Sequence, residues 1–275
     1  MLKDKIIFLD LDGTFIDHTL EAPDSAIEAF KAAKANGHKI YINTGRSVCQ
    51  IYDHLWELGF DGFIGGNGIY IEEDGKTLFH NPIPQHLVIK VYNYLVEHQI
   101  GFFEEGNHCL YAHTSYLPAI TRLLAVSTEE AIAKTNAIFP NAHYNCNNWH
   151  HNVNKISVVL NNEVDDEKLQ DFVEPELTLG FWSLFGKGRE FADIYQTGTS
   201  KGSAVSFLMN HLGKPLSESY SFGDGDNDVE MLQTTGVGVA MGNAIPRLKA
   251  VADYVTEPVT QDGLWKAFRH IGLIG

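Results

Sequence analysis

The chain has 275 residues, 44% of them hydrophobic, enough for about two domains with real cores at the usual size of about 150 residues. Its 20 Lys+Arg against 35 Asp+Glu give a net charge of −15, which argues against a broad surface that tracks nucleic acid or an anionic membrane. Cys49, Cys109 and Cys146 are odd in number, widely spaced and without a CxxC pair, so neither a disulfide framework nor a cysteine metal knuckle is expected, and a reducing cytosol fits.

Ile6–Leu9 is apolar on both faces and bounded by charge, the pattern of a short buried strand. It is too short for a signal-peptide core or a bilayer span, and no other stretch reaches spanning length, so a soluble cytoplasmic protein is expected. Pro23 and Ser25 open an amphipathic helix over Ala26–Ala35 that Gly37 ends. Lys39–Ile42 repeats the buried strand, Val48–Leu58 is helical and closed by Gly59, and Gly62–Ile64 starts a third strand.

From about Pro82 to Gly188 the texture changes. Polar alternating strands (Phe102–Tyr111, Lys155–Leu160) mix with helical runs (Leu87–His98, Tyr116–Ala125, Glu167–Val173) and Asn/His-rich loops. Pro82, Pro84 and Gly186-Lys187-Gly188 read as linkers, which makes 83–187 an inserted α+β domain. The alternation then returns: helix Lys201–Leu212, strand Ser219–Phe222, helix Val229–Thr234, strand Val237–Met241, helix Ile245–Ala252, strand Tyr254–Thr256. It predicts an α/β core, a parallel sheet covered by helices on both faces, with ligands at the carboxyl ends of its strands.

The first strand ends in Asp10-Leu11-Asp12-Gly13-Thr14. Two carboxylates two residues apart can divide labour, one as nucleophile and the other as acid and base, and Gly13 permits the sharp backbone departure this crowding requires. A solvated Asp-Gly turn would carry the same residues. The second strand ends in Asn43-Thr44-Gly45-Arg46, where a helix start, a hydroxyl and a guanidinium together suit an anion, although a helix cap followed by a surface arginine is the plainer account.

Ser221-Phe222-Gly223-Asp224-Gly225-Asp226-Asn227-Asp228 again runs from strand into acidic loop into helix. Three aspartates and an asparagine within five residues repel one another unless a cation is present, and oxygen-only ligands select Mg²⁺ or Ca²⁺. A calcium EF-hand fails because Val229 stands where its glycine is needed and Thr235 where its bidentate glutamate should be. A solvated acidic turn remains the competing account. Lys201, at a helix start, and Asn67, in Gly65-Gly66-Asn67-Gly68, would individually be a solvated lysine and a turn residue.

Taken together these segments resemble the four signature motifs of the haloacid dehalogenase superfamily of phosphatases: Asp10-Leu11-Asp12-Gly13-Thr14, Thr44, Lys201 and Gly223-Asp224-Gly225-Asp226-Asn227-Asp228. Gly-Val-Ala-Met-Gly-Asn at 238–243 and Asp262-Gly263 look like the Cof-type sugar-phosphate phosphatases. The resemblance implies a discontinuous Rossmann-like catalytic core at 1–82 and 188–275, with a type-two α+β cap at 83–187 between the second and third motifs. Spacing independently favours that placement, since 31 residues separate Asp12 from Thr44 whereas 154 separate Arg46 from Lys201.

The resemblance further implies a Mg²⁺-dependent phosphatase acting on small phosphorylated metabolites, hexose phosphates among them. Asp10 is then the nucleophile, Asp12 the general acid and base, and Asp10, Asp224 and the Asp12 carbonyl the metal ligands. Thr44, Lys201 and Asn227 contact the phosphate, Asp228 orients Lys201 or a metal-bound water, and Arg46 and Asn67 lie on the substrate side. A phosphomutase and a non-catalytic phosphosugar-binding regulator are the alternatives on the same core; transmembrane ion pumps and GxGxxG oxidoreductases lack their marks here.

In the insertion, the His143–His151 segment matches no zinc template and reads as a polar loop or substrate-facing rim. The Phe181-Trp182-Ser183-Leu184-Phe185 run with Arg189 and Glu190 reads either as cover for a sugar ring or as packing of the insertion's own core.

Overall fold

The computed structural model describes residues 2, 4–147, 149–160, 164–182 and 189–275; Asn148, Ser183, Leu184, Phe185 and the expected linker Gly186-Lys187-Gly188 lie outside them. The chain divides into one unit of Met1–Gly45, His54–His80 and Thr199–Gly275 and a second of Arg46–Asp53 and Asn81–Gly198.

The first unit begins with β1 (Ile6–Leu9), whose four residues are all buried, as a strand apolar on both faces must be. Helix α1 (Asp24–Ala35) buries Ala26, Ala29, Phe30 and Ala33, the three-and-four spacing of a single face. Strands β2 (Lys39–Asn43) and β3 (Gly62–Gly65) follow. The expected helix over Val48–Leu58 is instead a single 3-10 turn, Val48–Gln50, and the short helix α2 (Asp53–Trp56). The Gln50 side chain caps the backbone of Ser47, and Ile51 is extended, so the helical pattern is cut in two. Strands β4 (Tyr70–Glu73) and β5 (Lys76–His80), absent from the sequence reading, form an antiparallel hairpin that extends the sheet.

The second unit contains α3 (Gln85–Glu97), β6 (Gly101–Glu105), β7 (Leu110–Ala112), α4 (Tyr116–Leu124), α5 (Thr128–Ile138), β8 (Ala142–His143), β9 (Lys155–Val159), α6 (Asp166–Val173), β10 (Leu177–Trp182) and β11 (Phe191–Gln196). Its sheet runs β10-β11-β9-β6-β7-β8. Val88, Val91 and Leu95 of α3 and Leu169 of α6 pack with Phe102, Ile156, Val158 and Ile194. Tyr116 and Ile120 of α4 and Ala131 of α5 pack with Phe103, Val159 and Phe191, so alternate residues of each strand meet different helix layers.

Three expectations are corrected here. The run read as one strand, Phe102–Tyr111, is two, because a turn closed by Gly106 N–H to Cys109 O separates β6 from β7. The strand at Lys155 is buried throughout rather than half solvated: Lys155 Nζ lies 2.8 Å from Asp193 Oδ2 and 3.2 Å from Glu105 Oε1, and Ser157 Oγ lies within hydrogen-bond distance of both carboxylates, 2.6 Å from Asp193 Oδ1 and 3.0 Å from Glu105 Oε1. The insertion, expected to end at 187, runs to 198, because β11 pairs antiparallel with both β9 and β10 and carries Asp193 into that ionic cluster.

The chain returns to the first unit with α7 (Lys201–His211), β12 (Ser219–Gly223), α8 (Val229–Thr234), β13 (Val237–Ala240), α9 (Pro246–Lys249), β14 (Tyr254–Val255) and α10 (Gly263–His270). The expected helix over Ile245–Ala252 shortens to α9, entered through Pro246 at its first turn. The eight strands lie in the order β14-β13-β12-β1-β2-β3-β4-β5, with β1 pairing parallel to β2 on one side and β12 on the other. That is a topological switch point, where open α/β sheets bind ligands. The register pairs Leu9 with Phe222, so the chain leaves β1 as Asp10 and β12 as Gly223-Asp224 side by side. No helix among the described residues is long and apolar enough to cross a membrane.

Candidate active site

Asp10 follows β1 directly, its N–H bonded to Phe222 O, and is 5% exposed. Lys201, first residue of α7, is 0% exposed, and its Nζ stands 2.6 Å from Asp10 Oδ1 and 2.6 Å from Asp228 Oδ1. An ammonium fully removed from water needs such partners. The start of α7 is fixed on two sides: Asn43 Nδ2 donates to Lys201 O, and the capping residue Ser200 donates through Oγ to Glu230 Oε1. Neither Asn43 nor Glu230 was singled out from sequence for this contact, since nothing local distinguishes a strand-end asparagine that reaches a helix 158 positions away.

The acidic loop after β12 is folded around Asp228. Its Oδ2 accepts the N–H groups of Asp224 and Gly225, both at 2.9 Å, while Oδ1 accepts Lys201. Gly13, at φ +81°, lies so near this loop that a Cβ there would stand 2.2 Å from Asp224 Oδ2. Asp12 is exposed beside it. Thr44 is buried at the end of β2, its N–H bonded to Ile64 O and its carbonyl accepting Asn67 N–H. Asn67 adopts the left-handed conformation (φ 58°), and its Oδ1 accepts Asn227 Nδ2 at 3.0 Å. Asp10, Thr44, Asn67, Lys201, Asp224, Asn227 and Asp228 therefore all belong to the first unit, on loops and helix starts that leave its sheet.

Arg46 does not. It belongs to the second unit, where its guanidinium donates to Ile138 O at 2.9 Å and Gln50 O at 3.2 Å and lies over the Tyr52 ring. In that unit the His143–His151 segment forms no metal-ligand cluster among the described residues; His143 and Trp149 stack on Tyr111, and His150 pairs with Glu104 at 2.9 Å. Of the aromatic run, Trp182 stacks on Phe191 and donates to Asp193 Oδ1, and Phe181 carries Arg189 over its ring.

Carboxylates outnumber the one ammonium at the site. Burial, with the neighbouring charges of Asp228 and Asp12, pushes Asp10 up to about 7 in spite of Lys201. Burial, Asp10 and Asp228 push Asp224 up to about 8. Burial pulls Lys201 down, but Asp10 and Asp228 outweigh it and hold the ammonium protonated well above its ordinary value. Carboxyls raised in this way are short of positive charge. Oxygens of Asp10, Asp224 and Asp228 lie within 4.8 Å of one another. Because Asp228 is engaged by Lys201 and two N–H groups, Asp10 and Asp224 are the open donors, and an all-oxygen set without cysteine or histidine fits a hard divalent cation such as Mg²⁺.

Residues 7–268 match the model of the haloacid dehalogenase-like hydrolases. YkrA of Bacillus subtilis is 29% identical over 275 residues, 99% of this chain and 100% of YkrA. The pyridoxal phosphate phosphatase YbhA of Escherichia coli is 29% identical over 284 residues, 94% of this chain and 96% of YbhA. Among solved structures, the subclass IIB sugar phosphatase BT4131 is 30% identical with a TM-score of 0.75 across 98% of this chain and 100% of its own.

Proposed function

The chain belongs to the haloacid dehalogenase-like hydrolases and is a phosphoric monoester hydrolase of that family, and from this premise we propose that it hydrolyses small phosphorylated metabolites, sugar phosphates foremost, through an aspartyl phosphate on Asp10. The observation that carries the proposal is Lys201 Nζ held between Asp10 and Asp228, all three buried, where strands β1 and β12 leave the sheet. The substrate class is supported by the names of its relatives, a pyridoxal phosphate phosphatase and a sugar phosphatase.

With Oδ1 held by Lys201, Asp10 presents its second oxygen to phosphorus. In-line transfer requires positioning and compensation of equatorial charge, which Lys201, the Thr44 hydroxyl and the Asn227 amide supply, the last held by Asn67. Asp12, exposed where Asp10 is buried, gives its proton to the leaving alkoxide. It then takes a proton from the water that attacks the acyl phosphate, which releases inorganic phosphate and restores Asp10. Asp10, Asp224 and the Asp12 carbonyl would hold Mg²⁺, whose positive charge, when bound, lowers the repulsion between a carboxylate and a phosphate dianion.

The second unit is assigned as the α+β cap of this architecture, and its three free thiols, Cys49, Cys109 and Cys146, favour a reducing cytoplasm. A panel of phosphorylated metabolites with Mg²⁺, scored by inorganic phosphate, tests the proposal. Turnover of sugar phosphates with phosphate release is expected. A panel in which no ester is hydrolysed, or in which phosphate returns to the sugar as in a mutase, would overturn it.

A further inference from the structure

Asn243 follows β13 and joins three separate loops of the first unit. Its Nδ2 donates to Gly13 O at 2.8 Å and to Asp224 Oδ2 at 3.0 Å, while its Oδ1 accepts Val259 N–H at 2.9 Å. Gly13 O can only accept and Val259 N–H can only donate, so these two partners let the amide sit only one way round. The neighbouring backbone brings it there: Gly242 N–H donates to Glu257 O, and a Cβ on Gly242 would stand 2.4 Å from Pro258 N. Only a glycine lets the 257–259 segment approach this closely.

We propose that Asn243 is the positioning residue for the cation ligand Asp224, an inference that rests on Asp10 and Asp224 holding the metal. An amide donor on Oδ2 fixes the rotation of the Asp224 carboxylate and leaves Oδ1 to the cation. The same NH₂ group holds Gly13 O, so the loop carrying Asp12 and the loop carrying Asp224 are locked to one another. Little slack exists between them, because a Cβ on Gly13 would stand 2.2 Å from Asp224 Oδ2. Ile245 N–H, donating to Asp224 O at 3.0 Å, fixes the backbone but not the carboxylate, which leaves that orientation to Asn243.

Asn243 is exposed, so truncating it opens no core cavity and the ligand-orienting role can be read apart from stability. The test is calorimetric titration of the whole protein with Mg²⁺ alone, beside thermal melting of the metal-free protein. Asn243→Ala is expected to weaken Mg²⁺ binding by about tenfold or more, the usual cost of losing a partner that orients a ligand, with the metal-free melting temperature lowered by only about 2–4 °C, the size expected for exposed hydrogen bonds. Its phosphatase rate should recover toward the unsubstituted value as Mg²⁺ is raised. Asn243→Ser, which keeps one short donor, should fall between the two. Arg247→Ala, which breaks the exposed Arg247–Asp226 pair nearby, should bind Mg²⁺ as the unsubstituted protein does. Unchanged Mg²⁺ affinity in Asn243→Ala, or weakened affinity accompanied by a larger loss of metal-free stability than these hydrogen bonds explain, overturns the role of Asn243. If the unsubstituted protein binds no Mg²⁺, or Asp224→Asn leaves binding intact, the metal assignment itself fails and the inference with it.

Discussion

Lys201 and Asp10 are 191 positions apart in the chain and 2.6 Å apart at their charged ends. Their meeting depends on β1 and β12 pairing in one parallel register, and on α7 beginning where Asn43 and Glu230 can hold it. One contact thus couples the sheet order, a helix start and the chemistry of the site.

Asp10→Asn keeps the shape and a hydrogen-bond acceptor for Lys201 but removes the nucleophile. Hydrolysis of an aryl phosphate in the presence of Mg²⁺ should fall by at least about a thousandfold. The melting temperature of the metal-free protein should hold or rise, since one of the mutually repelling carboxylates is gone. Steady-state kinetics and a melting curve check both, and retained turnover would remove Asp10 as the nucleophile.

Lys201→Met leaves Asp10 and Asp228 buried without their cation. Removing one partner from a buried ionic cluster costs about 3–5 kcal/mol. Urea unfolding of the variant should show a correspondingly lower midpoint, least so at acid pH, where Asp10, already raised by burial, is protonated. An unchanged midpoint at neutral pH would show that Lys201 is not what neutralises them.

Gly13→Ala combines an unfavourable left-handed backbone with a Cβ 2.2 Å from Asp224 Oδ2. Gly59→Ala has the same φ of +81° and nothing within 4 Å, so it isolates the backbone cost of about 1–2 kcal/mol. Denaturation of the two variants should show Gly13→Ala the less stable, and equal losses would mean that the close approach carries no weight.

Lys155→Met in the second unit strands Glu105 and Asp193, both buried, and a loss of about 3–5 kcal/mol is expected there as well. Proteolysis should then cut first within Asn81–Gly198. Cleavage that begins elsewhere would contradict it.

His38 is held below its ordinary pKa by burial; its Nδ1 accepts Lys5 N–H and its Nε2 therefore donates to Leu273 O. The native state takes up its proton less readily than the unfolded chain, so stability from neutral His38 is present above about pH 6.5 and is lost as pH falls toward the depressed value. For one proton the slope is at most about 1.4 kcal/mol per pH unit. His38→Asn should flatten this part of the profile between pH 7 and pH 5, and identical profiles for the two proteins would exclude His38.

The helical and strand patterns of the core were legible because periodicity is local: Ile6–Leu9 announces burial on both faces, and Lys201–Leu212 and Val229–Thr234 announce helices. Where the reading failed, the deciding contact was remote. The β4–β5 hairpin exposes much of its second strand and carries little apolar alternation, so it forms because β3 offers an edge. Asn243 lay within a quoted motif, yet its amide is meaningful only beside Gly13 and Asp224, 230 and 19 positions away.

By itself, the amino-acid sequence determined the family, the α/β core and the placing of acidic segments at strand ends, because runs of apolar residues, glycines and caps act over a few neighbours. Tertiary structure alone decided that β11 joins the second sheet, that Arg46 belongs with Ile138, and that Asp228 serves Lys201 and two backbone N–H groups. Which opposite charge meets a buried one depends on strand order and register, and these are set by packing summed over the whole sheet.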